Sequence, residues 1–431
     1  MLHQGTRWVM RVSRLRACAD ERGADRFVAA FEDRRLTASP SRLSRWEYGR
    51  SNGSARLLRA YEDGTGLPPY LLFALNDRQQ RTTDDEFAAK PSVDISEEIT
   101  AEDVYAILDR AVSTQEVTGS EWYAMAAYAA TTGYFYLAPS NTRYVAQRML
   151  NELARSVGDG YLLRFEALHL MAGMPRVGPA MVEGLLRLIT DDRTGMLGDA
   201  VSLILRPTPE VGRAMAHHLR ATGTEAGQQA STWFEDLVPA RPQPTEPVLS
   251  RAEVLALRNA VCEDLPSWAA AHLEDEVTNP LVETALGAAT RAERHEASAL
   301  MMAGHLSEPL GPAVLDALEA EEDPARRTRL AHLHEYLVPS LDPERVEALA
   351  LAEQDPEVRR ALWNSRAHAQ LPIQRSVAVM NQLADPDVRA PIASAMGMTG
   401  SVDRELLDHD ELGELHGVLS WWSTHGPALH T

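Results

Sequence analysis

Apolar positions in this chain recur three or four residues apart, and β-branched runs with strict alternation are absent, so the pattern predicts helices from end to end. Val12 to Arg22 reads as a first helix, with Val12, Leu15 and Ala19 on one side and Arg14 and Arg16 off it. Ala24 to Arg34 reads as a second, with Phe27, Val28 and Phe31 apolar. A short third helix lies within Ser39–Arg50, a fourth runs from Ala55 to Glu62 on Leu57, Leu58 and Tyr61, and Pro68-Pro69 opens a fifth ahead of Phe73. From Ser96 onward the pattern stays helical, beginning with Val104, Ile107, Leu108 and Ala111. The expected fold class is all-α.

The third of these helices carries the most chemistry. Ser39 suits an N-cap and Pro40 the first helical position, where a missing N–H costs nothing, and Gly49 supplies the stop. Leu43 and Trp46, three apart, share the face that packs inward. Ser41, Arg42 and Arg45 fall on the other side, where hydroxyls and forked guanidinium groups suit base edges and phosphates. Taken alone, the segment reads equally as an ordinary surface helix with two arginines.

Its surroundings favour the first reading. Five short helices with LSRWEYGR at Leu43–Arg50, followed by LLRAYEDGTGLPPYLL at Leu57–Leu72, resemble the DNA-binding domain of the Xre/Cro/lambda-repressor helix-turn-helix family, over roughly the first 80 residues. The resemblance implies a recognition helix in the major groove, with Ser41, Arg42 and Arg45 nearest base edges and Ser39 and Ser44 beside them. Arg50, Arg14, Arg34 and Arg35 are the implied phosphate contacts. One departure is plain: the family opens its second helix with a phosphate-contacting Gln, and here that opening is Ala24-Asp25-Arg26.

Charge divides the chain in the same place. Residues 1–81 hold 15 Arg and no Lys against 9 acidic residues, a net of about +6, whereas the whole chain is at −20 and the remainder therefore at about −26. Since phosphate contacts supply most non-specific affinity, a chain that followed nucleic acid along its whole length would not be built this way. The polar, acidic stretch 82–95, with Pro91 and the single lysine Lys90, reads as a linker. Arg dominance over Lys is the composition of a GC-rich bacterial source.

The acidic body has a period. Asp323-Pro-Ala-Arg-Arg327, Asp355-Pro-Glu-Val-Arg359 and Asp385-Pro-Asp-Val-Arg389 recur at 32 and then 30 residues, each with an apolar residue (Leu330, Leu362, Ile392) seven after the Asp. Asp caps, Pro takes the first helical position, the apolar residue faces the next unit, and the Arg is placed to reach the Asp of a neighbour. This resembles the HEAT-type helical repeat and implies a stacked α-solenoid over about 140–425, with fainter copies at Thr208–Arg213 and Asn279–Val282. The Pro-rich patch 238–248 reads either as a connector between two lobes, 96–237 and 249–431, or as a long loop in one solenoid.

Catalytic chemistry is not legible. Glu166 and His169 share a helix face at the spacing of di-iron bundles, but the motif occurs once and reads as an ordinary pair. His217-His218, His332-x-His334 and His409…His416 lack the spacing of a metal site, and Cys18 and Cys262, far apart, read as buried thiols. No phosphate-binding glycine loop or nucleophile elbow is present, so neither an enzyme nor a cofactor is expected. The aromatic group Trp122, Tyr123, Tyr128, Tyr134, Phe135 and Tyr136 reads either as core or as the lining of a small-molecule or protein site, and Trp421-Trp422 either as a cap on the last repeat or as a subunit contact. No signal peptide or run of eighteen apolar residues occurs, so a soluble cytoplasmic protein is expected. The functional expectation is a homodimeric DNA-binding regulator whose body takes a ligand or partner. Two alternatives stand beside it: a scaffold with a degenerate helix-turn-helix, and a HEAT-like alkylated-base glycosylase, the latter disfavoured by the acidic body.

Overall fold

The structure is a computed structural model. It describes residues 2–83, 90–113, 115–133, 137–174, 249–263, 278–337, 342–385, 389–408 and 415–429, with single positions and short runs between them. The fold is all-α, with no strand among the described residues. The chain forms two compact units, residues 1–243 with 429–431, and residues 244–428. That division falls inside the Pro-rich stretch 238–248, which itself lies outside the described residues, as does the faint repeat copy at Thr208–Arg213.

The first unit opens with α1 (Gln4–Ala17), α2 (Glu21–Asp33), α3 (Pro40–Glu47), α4 (Ala55–Thr65) and α5 (Leu71–Thr83). Two boundaries differ from expectation. Helix α1 starts eight residues before Val12, because Trp8, Val9, Met10 and Val12 are all buried, whereas Ala19 is exposed beyond the helix end. Helix α2 starts at Glu21 because Asp20 accepts a hydrogen bond from the Gly23 N–H and so caps a new helix there. Val28, expected inside, is exposed; Phe27 and Phe31, four apart, take the inward face without it.

Helices α6 (Ala101–Ala111), α7 (Gly119–Thr132), α8 (Pro139–Ala154) and α9 (Gly158–Ala172) follow in the same unit. Helices α6 and α7 each begin in a reciprocal capping box, Thr100 with Asp103 and Thr118 with Glu121. Residues 1–81 and 96–237, expected as separate bodies, are joined in one compact unit: α5 packs on α9, and α7 on α9. Polar groups fasten the joint. Arg81 holds Glu166 with both arms, one at 2.6 Å, and Asp77 accepts from the Tyr123 hydroxyl at 2.6 Å and the Ser92 N–H at 2.7 Å. The last residues of the expected linker are thus tied to α5, Ser92 also accepting from the Asn76 side chain.

The second unit contains α10 (Arg251–Cys262), α11 (Thr278–Gly287), α12 (Arg291–Ala303), α13 (Ser307–Ala320), α14 (Pro324–Leu337), α15 (Pro343–Ala352), α16 (Pro356–His368), α17 (Val377–Leu383), α18 (Arg389–Met398), α19 (Arg404–Leu407) and α20 (Leu415–His425). From α11 onward the helices pair consecutively, α11 with α12 through α19 with α20. The second members also stack on one another in order: α12, α14, α16, α18, α20. The Asp-Pro motifs at Asp323 and Asp355 open successive members of that inner row, the residues just after Asp385 lie outside the described ones, and Leu330, Leu362 and Ile392 are buried in it. Asp355 caps α16 by accepting from the Glu357 and Val358 N–H groups, and Asp323 accepts from Arg326 N–H. A fourth Asp-Pro, at Asp342, opens α15 in the other row. The arginines of the first two motifs reach forward: Arg359 lies 3.7 Å from Asp385, and Arg327 pairs with Glu353, two residues before Asp355. The indole of Trp422 covers Gly397, where an added Cβ would meet ring atoms at 2.1 Å, so α20 closes the stack with Trp421 and Trp422 buried.

Two histidines of this inner row have shifted pKa values, buried His334 and half-buried His368. His334 binds the Ser365 hydroxyl through Nδ1 at 2.9 Å, and burial, with His368 and Arg345 nearby, pushes its pKa down to about 3. Desolvation likewise holds His368 at about 4, against the raising effect of its hydrogen bond to the Glu335 backbone carbonyl. Both stay neutral in the fold at a pH where the unfolded chain, near 6.5, takes up protons. Their stabilising contribution is therefore complete above about pH 6.5 and lost as pH falls toward 4. In the first unit burial works the other way on Glu62 and Asp77, raised to about 7 and 6, so a variant comparison is the cleaner readout. His334→Gln is expected to lower the urea midpoint at pH 7.5 through lost packing. The gap to wild type then closes by pH 5, and a gap that stayed constant with pH would contradict the assignment.

Candidate nucleic-acid interface

Helix α3 has the form expected at both ends, with one difference. Pro40 occupies its first turn and Ser39 the extended N-cap position, but the Ser39 hydroxyl makes no capping bond and instead lies 3.4 Å from the Ser41 hydroxyl. At the other end Gly49 takes φ +71, with Gly49 N–H donating to the Trp46 carbonyl and Arg50 N–H to the Arg45 carbonyl, a Schellman closure. Glycine suits that conformation, and the Arg7 guanidinium lies against it, 1.2 Å from where an added Cβ would stand, so a larger residue would also have to displace that side chain. Helix α2 ends the same way, Leu36 N–H donating to the Phe31 carbonyl, but with Arg35 in the left-handed position at φ +56.

The inner side of α3 meets an aromatic cluster. Trp46 faces Phe31 with ring centres 6.0 Å apart, and Tyr61 stands edge-on to both Phe27 and Phe31. Beneath them Glu47 is buried and fully supplied with donors. Arg14 reaches it with Nε at 2.6 Å and Nη2 at 2.8 Å, and the Tyr61 hydroxyl donates at 2.8 Å. Burial, with Glu47 beside it, pushes the Tyr61 phenol well above its ordinary range. One carboxylate therefore ties α3 to α1 and α4.

The predicted contact residues separate into two groups. Ser41, Arg42, Arg45, Arg50 and Arg35 are exposed and Ser39 and Ser44 half-exposed; none of the four arginines has a carboxylate partner among the described residues. Arg14 and Arg34, expected on phosphates, are engaged internally. Arg14 is bidentate on Glu47, and Arg34 bridges Asp63 at 2.7 Å and Glu98 at 2.6 Å. The reason is that both lie where α1 and α2 meet other elements, beside carboxylates that hold them: buried Glu47 for Arg14, exposed Asp63 and half-buried Glu98 for Arg34. Arg59 and Arg81 are likewise spent on Glu62 and Glu166. Two residues were missed from the sequence: Glu47, whose signal was a lone acid between Arg45 and Arg50, and the exposed Tyr48 at the end of α3.

Elsewhere the candidate chemistry resolves into structure. Trp122 and Tyr123 are buried with their polar atoms satisfied, the indole N–H by Glu152 at 2.6 Å and the phenol by Asp77, while Tyr128 is half-buried. Tyr134, Phe135 and Tyr136 lie outside the described residues. Glu166 is committed to Arg81, and His332 and His334 turn to different partners, Glu357 and Ser365. Among the described residues no cluster of three His, Cys, Asp or Glu is placed to hold a metal ion, and no helix is long and apolar enough to cross a membrane. Cys18 and Cys262 are half-buried free thiols, both with pKa raised by burial. Compared with family models, curated proteins and solved structures, the chain has no match.

Removing the anchor tests this construction. Glu47→Ala leaves a guanidinium and a phenol without their acceptor and is expected to destabilise the first unit by roughly 3–5 kcal/mol. Glu47→Gln, which keeps an acceptor for Tyr61, costs less. A melt of Glu47→Ala within a degree of wild type would show that α3 is held by packing alone.

Proposed function

We propose that this chain is a sequence-specific DNA-binding transcription regulator that lays α3 in the major groove, as in the helix-turn-helix proteins its first 80 residues resemble. One observation carries the reading. In a head where most carboxylate-adjacent arginines are consumed internally, Arg42 and Arg45 stand exposed with Ser41 on the outer side of a helix whose inner side and far end are locked. A rigid helix presenting unpaired guanidinium groups suits the O6 and N7 acceptors of guanine, and its hydroxyls suit neighbouring edges. Arg35 and Arg50, on the turns that close α2 and α3, are placed for phosphates. That Arg35 holds a left-handed position glycine would fill at less cost supports a use for its side chain.

The remainder is acidic and does not follow the duplex. Its stacked helical pairs supply the surface for a second copy of the chain and for a ligand or partner. Two heads on a two-fold site are the economical way for so short a helix to reach specificity. The protein acts where the genome is, in the cytoplasm of the bacterial cell its composition suggests.

Because α5 packs on α9, deleting residues 1–81 would strip core from the first unit, so point variants of the full chain are the right test. Selection of duplexes from a random pool by the intact protein is expected to return a palindromic motif. Arg42→Ala and Arg45→Ala are each expected to lose roughly 1–3 kcal/mol on that motif and to relax preference at one position. Arg35→Ala and Arg50→Ala weaken all duplexes alike and reduce the salt slope. Failure to enrich any motif, or equal loss on random DNA for Arg42→Ala and Arg45→Ala, would sink the reading.

A further inference from the structure

Tyr48, like Tyr105, is 57% exposed, and of the large apolar side chains described only Val377 is more so. It stands four residues after Ser44 and three after Arg45, and seven after Ser41, so on a helical repeat it continues the outward line of α3. Its surroundings are cationic: Arg45 and Arg50 are exposed on either side of it in the chain. Beneath it lies Arg11, itself buried, with its guanidinium carbon 5.1 Å from the ring centre. The ring is thus held on one side by a cation–π contact from α1 while much of its surface stays open to solvent. An aromatic fixed in place before binding loses little freedom on contact, having only two torsions to order.

We infer that Tyr48 is a further specificity residue of the α3 surface, reading the C5-methyl of a thymine next to the base read by Arg45. The inference rests on the DNA-binding reading proposed above. Hydrogen-bonding side chains on the same line, Ser41 and Arg45, address acceptors and donors in the groove, but none of them can sense a methyl group. An apolar ring at the end of that line supplies the missing contact. The phenolic oxygen is not needed for it.

The test uses the full chain and the duplex enriched by selection. Each thymine is replaced singly by deoxyuridine, which removes only the methyl. Wild type is expected to lose about fourfold at one thymine, the worth of one buried methyl group. Tyr48→Ala is expected to bind the parent duplex several-fold more weakly and to show no further loss with deoxyuridine at that position. Tyr48→Phe behaves as wild type. Equal weakening of Tyr48→Ala on all sequences, with the deoxyuridine effect unchanged, would make Tyr48 a sugar–phosphate contact and overturn the inference, as would unchanged affinity. If selection succeeds and Arg45→Ala weakens the motif while Tyr48→Ala does not, the inference alone fails. If no motif is enriched, the DNA-binding reading fails with it. Tyr48 is exposed, so an unchanged melting temperature confirms that each variant is folded.

Discussion

A charge buried without partners costs several kcal/mol, and this protein meets that constraint at Glu47, Glu62, Glu152 and Glu166 by surrounding each with donors. Glu47 does so in the head, between Arg14 and the Tyr61 hydroxyl. Glu62, fully buried, accepts from the Tyr70 and Leu72 N–H groups at 2.8 Å each and pairs with Arg59, so it sets the turn from α4 into α5. Glu152 gathers the Trp122 indole and the Arg148 and Arg164 side chains, and Glu166 takes Arg81. Glu47, Glu152 and Glu166 join elements distant in sequence, and Glu62 joins neighbouring ones. Removing one leaves its donors stranded, which gives the packing of the first unit its particular arrangement.

The same economy decides which arginines face outward. A guanidinium near one of these acids is pinned and becomes part of the scaffold, as Arg14, Arg59 and Arg81 are. Those on the outer side of α3 and on the turns at Arg35 and Arg50 have no such acid within reach. The scaffold thereby holds the exposed set in place: Glu47 fixes α3 from below, Gly49 ends it, and Arg7 fills the space against that glycine. The second unit is held differently, by a repeated local device. Aspartate caps start several of its helices, and arginines four residues on from Asp323 and Asp355 reach the end of the following helix or the next motif.

That repetition explains what was legible from residues alone. The all-α class, the inner-row starts at Asp323 and Asp355 and the burial of Leu330, Leu362 and Ile392 follow from caps and periodicity within a few dozen residues. So do α3 between Pro40 and Gly49 and its outward Ser41, Arg42 and Arg45. Local pattern misplaced the start of α1 and the side of Val28, because the burial of Trp8, Val9 and Met10 is decided by the helices packed on them. It also offered Arg14 and Arg34 as phosphate contacts. Nothing in the neighbourhood of either residue names Glu47, 33 positions on from Arg14, or Glu98, 64 on from Arg34, as its partner. The sequence by itself determined where helices begin and which faces are apolar, since capping and amphipathicity act over one or two turns. Only the tertiary structure decided which charges are structural and which remain exposed, because an ion pair depends on distances that folding alone brings within reach.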